Sequence, residues 1–461
     1  MTRIVTPKRL TAALLTILAV TILFGRLGTN KLFFDEAIYA EVSKEMVELN
    51  SWLTPYWNGE LWFEKAPAYF WITSLLFKVL GVSEFWSRFA SALSGLGVLL
   101  LSYLIARQIY NHAAGLLAVL ILLASQLFVY YARFGTTDTM LTVCILLAVY
   151  GYLRTADDDR FWLLAGAGCG LALIVKGAAG VTAPLVLLIA AVVERRLVTA
   201  LKGKWLWMGV GLSALIVLPW HWLMYSQHGD SFLQAYLFHH VVRRARSNVN
   251  EFQRGFGFYF SVLRDFFSPW VYILPFSLIF RRAPRSVVVI ILGLTVFVFY
   301  SVVQTRFQWY ILPSIPAFAI IIAGFITGFT ERRTQLQLRI GALVLFLLWT
   351  SALLGVLTLI RTVNSEIETA ARLAKLAAND RGGIMVYPEN LQMTVKFYSN
   401  RKLCTDPVFS KLSHTESTEC APHEATHIIL RMSDRDKIES SFTITPLIEE
   451  GPLTYASITP R

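Results

Sequence analysis

Residues 33–71 read FFDEAIYAEVSKEMVELNSWLTPYWNGELWFEKAPAYFW. The stretch follows a long apolar run at residues 10–27 but is itself too polar to span a bilayer. Asp35 and Glu36 stand near its start. Asp35, Tyr39, Val42 and Met46 fall at i, i+4, i+7 and i+11, which puts them on one face of a helix. An aromatic turn, NGELWFEKAP, then leads through Glu64 and Lys65 to Pro67. Two readings fit acids and a base at the edge of an apolar segment. One is an interfacial helix whose charges sit in headgroup water. The other is a site that uses them.

Outward from this stretch the chain is a series of apolar runs. It has 461 residues, 55% hydrophobic and 16% charged, where a soluble chain carries about a quarter charged residues. The runs lie near 10–27, 66–81, 86–107, 113–132, 138–153, 161–176, 178–194, 205–225, 268–280, 286–303, 311–329 and 339–361. The expected fold is an α-helical polytopic membrane protein. Residues 10–27 follow a basic start (Arg3, Lys8, Arg9) with no small-residue cleavage site, so they are read as the first retained span.

Loop charges set the orientation. The basic loops 195–204, 281–285 and 331–339 all fall inside, with a basic N-terminus, if 66–81 is a re-entrant or interfacial helix. That gives about eleven transmembrane helices, at most about thirteen. The outside segments are then 28–85, 133–137, 176–178, 226–267, 304–310 and the tail from 362. The net charge of +12 is chiefly the Lys and Arg excess of inner loops, and gives no reason to invoke nucleic acid. Loop 226–267 departs from the rule, with Arg243, Arg244, Arg246, Arg254 and Arg264 on the outer side. Either anionic lipid headgroups or a lipid-borne phosphate accounts for them.

Two domains are expected: a membrane domain over 1–361, whose first outside loop 28–85 holds interfacial helices, and a small soluble α/β domain over 362–461. In the tail, IETAARLAKLAAND reads as an amphipathic helix, and GGIMVYPEN, ATHIILRMSD and SSFTITPLI as strands. Cys404 and Cys420 lie there and pair if the tail faces an oxidising compartment. Cys144 and Cys169 lie in apolar runs as packing residues. The glycines from Gly151 to Gly170 fit helix packing better than a phosphate loop.

The topology gathers ionisable residues on the outer side. The acids are Asp35, Glu36, Glu64 and Asp138, and the bases are Lys65, Arg133, Lys176, Arg243 and Arg306. His239 and His240 precede Arg243, and Tyr39 and Tyr310 add hydroxyls. Group transfer from a lipid phosphate needs these parts. A carboxylate takes the acceptor proton, and cations or a metal neutralise the departing phosphate.

FFDEAIYAEVSKEM, NGELWFEKAPAYFW and ARFGTTDTM (132–140) resemble the integral-membrane GT-C glycosyltransferases. The nearest branch is that of aminoarabinose–lipid A transferase and the bacterial protein O-mannosyltransferase-like enzymes. The resemblance extends through VKGAAG (175–180) and returns in FHHVVRR (238–244) and QTRFQWYILPSIP (304–316). It implies a polyprenyl-phosphate-linked sugar donor and a lipid, glycan or protein acceptor. It also implies a bacterial cytoplasmic membrane, with the active site and C-terminal domain facing outside.

By position, the resemblance makes Asp35 the first-loop catalytic aspartate and Asp138 the second acid, with Glu36 beside the first. Lys65, Lys176, Arg243, Arg306 and Tyr310 become substrate contacts, and the outer-side grouping adds Tyr39 and Arg133 to them. Glu64 and His240 become a pair that could share a divalent metal ion, the one candidate cofactor. The family often carries Arg three residues after the first-loop aspartate; here that position is Ile38.

Structural readings compete for several of these residues. Asp35 and Asp138 could cap helices, His240 could lie on an interfacial surface, and Tyr310 could belong to an aromatic belt. A lipid-carrier flippase or transporter, or a non-catalytic membrane assembly protein, remains an alternative. No internal repeat relates the two halves, which favours the enzyme.

Overall fold

The computed structural model describes residues 7–243, 254–279, 283–330, 346, 349–350, 353–357, 364–380, 383–387, 389–404, 425–439 and 442–460. The chain divides into two compact units. One comprises Met1–Gly25, Phe63–Tyr69 and Phe89–Arg361; the other comprises Arg26–Trp62, Phe70–Arg88 and Thr362–Arg461.

The first unit is helical. Among the described residues, three helical segments are long and apolar enough to cross a membrane: Glu84–Ile109 (mostly within this unit), Asp159–Val193 and Lys204–Phe238. His112–Leu123 and Gln126–Ala132 make a fourth if that pair, bent by 74°, is one span. Further apolar helices are shorter, among them Ser286–Val302 and Ser314–Gly328. Breaks interrupt some of the runs. The 113–132 run turns at Ser125, whose hydroxyl accepts from Phe128 N–H and starts a new helix. The run after 205 breaks at Gly229, with φ 55° and ψ −134°.

The glycine-rich run 151–170 packs helices. Helices Thr137–Arg154 and Trp162–Lys176 approach so closely that a Cβ on Gly168 would lie 2.4 Å from Ala148 N, and one on Gly151 2.5 Å from Ala165 N. Small residues are what allow backbones this close in an apolar bundle.

In the second unit, helix Phe34–Glu48 is followed by a hairpin of β1 (Tyr56–Trp57) and β2 (Glu60–Leu61). Asn58 and Gly59 turn the hairpin with φ of 56° and 82°, the two left-handed positions that an Asn-Gly turn supplies at low cost. The C-terminal part holds β3 (Gly383–Tyr387), β4 (Ala425–Arg431), β5 (Phe442–Glu450) and β6 (Leu453–Pro460). Their order is β3-β4-β6-β5; β3 runs parallel to β4, and the other pairings are antiparallel. Met385, Ile428, Leu430, Phe442, Ala456 and Ile458 form the core of this sheet.

Helix Ser365–Ala377 starts at Asn364, whose side chain accepts from Glu366 N–H and Ile367 N–H. The expected helix and three strands are present. Strand β6 and helix Gln392–Ser399 are additional. Cys404 is disulfide-bonded, while Cys144 and Cys169 are buried free thiols; Cys420 lies outside the described residues.

Helix Phe34–Glu48 keeps four of its six charged side chains out of water, Glu48 being exposed and Asp35 half-buried. Glu36, Glu41, Lys44 and Glu45 are all buried, and each is ion-paired within the second unit.

Candidate functional site

The Asp-Glu pair at the start of helix Phe34–Glu48 is split by its surroundings. Phe33 is extended, and Phe34 sits at φ +48°, a left-handed conformation that is strained for a bulky residue. The strained turn puts both acids in the first helical turn, where the helix dipole favours negative charge. Glu36 is fully buried and accepts two hydrogen bonds from Arg88, Nη2 to Oε1 at 2.6 Å and Nε to Oε2 at 2.9 Å. Arg88 also donates to the carbonyls of Leu27, Asn30 and Lys31, tying down the segment that leads to the helix. Glu36 is therefore an anchor, while Asp35 is half-buried. Tyr39, 4% exposed, packs edge-on against Phe70 and Trp62 with centroids at 5.3 and 6.0 Å.

In the first unit, Asp138 and Lys176 meet. Asp138 lies in the first turn of helix Thr137–Arg154 and accepts from Lys176 Nζ, the last residue of helix Trp162–Lys176. An acid at a helix start and a cation at a helix end each match the local dipole. The pair is buried, with side chains 6% and 8% exposed. Two features fix its geometry. Ser91 exchanges hydrogen bonds with the N–H and C=O of Thr136, the N-cap residue. Gly177 ends the lysine helix at φ 50°, and a Cβ there would lie 2.4 Å from the Tyr236 hydroxyl. The ammonium of Lys176 also stands 5.6 Å from the centre of the Tyr310 ring, within cation–π range. Tyr310 packs on Tyr300 at 4.9 Å.

Other expected contacts have visible structural duties. Arg133 donates to the carbonyls of Leu23 and Gly25 at 3.0 and 2.8 Å, so it closes the C-terminal end of helix Pro7–Phe24. Arg306 donates to the carbonyls of Ser301 and Arg254, and Arg254 donates back to Arg306 O at 2.6 Å. Arg264 pairs with its neighbour Asp265 at the surface. Lys65 lies 3.5 Å from Glu64.

His240 and Arg243 belong to the π-helix Gln234–Arg243, but their side chains are outside the described residues, as are Arg244 and Arg246. Among the described residues no three His, Cys, Asp or Glu side chains converge as a metal site. Glu64 is engaged with Lys65.

Three groups emerge only in the structure. Arg88 is one, although a charge inside the 86–107 apolar run was a legible signal. The second is a buried quartet of Glu41, Lys44, Glu45 and Lys396. Burial pulls the Glu41 carboxyl above the usual carboxylate range; Lys44 and Lys396 oppose the rise and Glu45 adds to it. The third is His221 with Tyr236. His221 Nδ1 faces Val217 O at 2.8 Å and so carries the proton, leaving Nε2 to accept from the Tyr236 hydroxyl at 3.2 Å.

The family described as dolichyl-phosphate-mannose-protein mannosyltransferase matches residues 64–223. An uncharacterized protein of Aquifex aeolicus (strain VF5) is 31% identical over 357 residues, 75% of this chain and 69% of that one. The undecaprenyl phosphate-alpha-4-amino-4-deoxy-L-arabinose arabinosyl transferase of Shewanella sediminis (strain HAW-EB3) is 27% identical over 316 residues, 66% of this chain. This chain's match spans 57% of that transferase's length. ArnT from Cupriavidus metallidurans bound to undecaprenyl phosphate superposes with a TM-score of 0.78 at 20% identity, covering 97% of each chain. The archaeal oligosaccharyltransferase AglB from Archaeoglobus fulgidus gives 0.59 at 11% identity over 93% of this chain and 70% of that one. At such identities the structural likeness is one of fold.

Proposed function

We infer a function from one premise: this chain belongs to the integral-membrane GT-C glycosyltransferases, in the aminoarabinose–lipid A transferase and protein O-mannosyltransferase-like branch. From that premise we propose that it moves a sugar from a polyprenyl-phosphate carrier to a lipid A-like acceptor on the outer face of the cytoplasmic membrane. About eleven spans carry the chain across that membrane in this reading. The observation that carries the proposal is the Asp138–Lys176 ion pair, buried where two apolar helices end and set beside Tyr310. Charges buried in such a bundle are costly to keep and usually functional.

The reaction is a single displacement. An acceptor oxygen attacks the anomeric carbon, and the bond from that carbon to the carrier phosphate breaks. The phosphate leaves with the bonding electrons from the face opposite the attack, so the anomeric configuration inverts. Asp35 removes the proton when the acceptor is a hydroxyl, and orients the acceptor when it is a phosphate oxygen. Lys65, Lys176, Arg243 and Tyr310 meet the charge gathering on the departing phosphate. Arg306 and Arg133 support this set from their backbone contacts.

Purified protein in liposomes, offered an undecaprenyl-phosphate aminoarabinose donor with lipid A, or a nucleotide sugar without carrier, tests the proposal. Turnover is expected with the lipid donor. Turnover with the nucleotide sugar in the absence of any carrier would overturn it.

A further inference from the structure

Helix Phe34–Glu48 buries two acids one turn apart, Glu41 at 1% and Glu45 at 5% exposure. Its own Lys44 supplies a single compensating charge, 2.9 Å from Glu41 Oε2. The second charge comes from more than 350 positions further along the chain. Lys396 Nζ lies 3.2 Å from Glu41 Oε1 and 3.4 Å from Glu45 Oε1. Glu41 Oε1 has no hydrogen-bond partner among the described residues, so the charge of Lys396 is what faces it. Glu45 Oε2 accepts from Gly59 N–H at 3.0 Å, which brings the Asn-Gly turn into the same arrangement. With all four ionised, the side chains are neutral as a set. Without Lys396 they would hold one uncompensated negative charge in a buried place, the situation proteins tolerate least.

Helix Gln392–Ser399 also grips the other end of the acid-bearing helix. Thr394 Oγ1 donates to Leu32 O at 3.0 Å, and Leu32 N–H donates to the Tyr398 hydroxyl at 3.0 Å. Leu32 stands three residues before Asp35. Between these polar contacts, Phe397 shares one apolar core with Leu32, Ala37, Ala40 and Phe77. The contacts run from just before Asp35 to Glu45, about 15 Å of helix at 1.5 Å per residue.

We infer that Lys396 is a positioning residue for Asp35, and that the C-terminal helix Gln392–Ser399 is a working part of the transferase and not an appendage. The inference rests on the assignment of Asp35 made above. Lys396 acts through the helix: it balances Glu41 and Glu45, and so holds the strained first turn where Asp35 is presented.

The test is a charge-balance series in the full-length protein: Lys396→Met, Lys396→Arg, and Lys396→Met combined with Glu41→Gln. Two readouts are taken. The first is kcat and donor KM with undecaprenyl-phosphate aminoarabinose and lipid A. The second is amide hydrogen exchange over residues 35–46, which needs no substrate. Lys396→Met is expected to lower kcat at least tenfold with donor KM within twofold, and to speed exchange at least tenfold. Lys396→Arg should retain most activity. The double variant removes one acid with the base, and should recover both kcat and protection to within about threefold. Unchanged exchange and unchanged kcat in Lys396→Met would overturn the inference. A loss that the double variant does not recover would overturn it too, because the domain would then have failed for reasons other than charge. If wild type transfers nothing from this donor, the functional assignment fails on its own, and the exchange series still decides whether Lys396 holds the helix.

Discussion

Glu36 and Arg88, 52 residues apart in the chain, meet in a two-pronged ion pair with both side chains almost wholly buried. The pair binds the first turn of the acid-bearing helix to the carbonyls of the segment before it. A planar guanidinium does this where an ammonium could not, because it satisfies a carboxylate and several carbonyls at once.

Arg88→Met should therefore destabilise the second unit strongly, by about 3–5 kcal/mol, since it strands a buried carboxylate. Arg88→Lys should recover only part of the loss. Combining Arg88→Met with Glu36→Leu should recover more than Arg88→Lys does. Apparent melting temperature in detergent, compared across the three variants, checks the order. Equal melting of wild type and Arg88→Met would refute it.

Glu41 makes a pH prediction. Its folded pKa is raised, chiefly by burial, so the folded state holds this proton more tightly than the unfolded state. Stability linked to it is then full below the unfolded pKa and is lost as pH rises through the folded pKa. The neighbours that set the balance are Lys44, Lys396 and Glu45. Glu41→Gln should consequently gain in melting temperature relative to wild type as pH is raised from 5 to 8. A gain that instead shrinks with rising pH would reverse the sign of the argument.

Lys176→Met should weaken donor use through the phosphate. Donor KM is expected to rise at least tenfold, with acceptor KM little changed. Steady-state kinetics with each substrate varied in turn separates the two. A selective effect on the acceptor would move Lys176 out of the donor site.

Orientation is checked by single cysteines at positions 200 and 450 in a background lacking reactive thiols. An impermeant maleimide applied from outside should label position 450 and spare position 200. The reverse pattern would invert the topology read from loop charge.

Much of this was legible in the sequence, and the gaps have physical causes. The glycine run was readable as packing because small residues recur at helical spacing within apolar spans. The Asn-Gly turn and the Asn364 helix start follow local chemistry that needs no partner. Asp138 and Lys176 were both singled out, but their direct pairing is a tertiary fact. Arg133 and Arg306 looked like ligand groups because a long-range backbone carbonyl leaves no mark on a side-chain pattern. Lys396 was missed for the same reason: its helix is eight residues long, and its partners lie at the other end of the chain. The buried charges of Phe34–Glu48 fitted an interfacial polar face as well as a functional site, since amphipathic periodicity cannot tell water from a salt-bridged partner.

The central claim is that Asp35 acts on the acceptor in transfer from a lipid carrier. It is tested most directly by the transfer rate of purified Asp35→Asn in liposomes, with undecaprenyl-phosphate aminoarabinose and lipid A at saturation. Hydrogen exchange over residues 35–46 serves as the control for folding. The account predicts a rate lower by about a hundredfold or more, with exchange unchanged. A rate within a few-fold of wild type would contradict it.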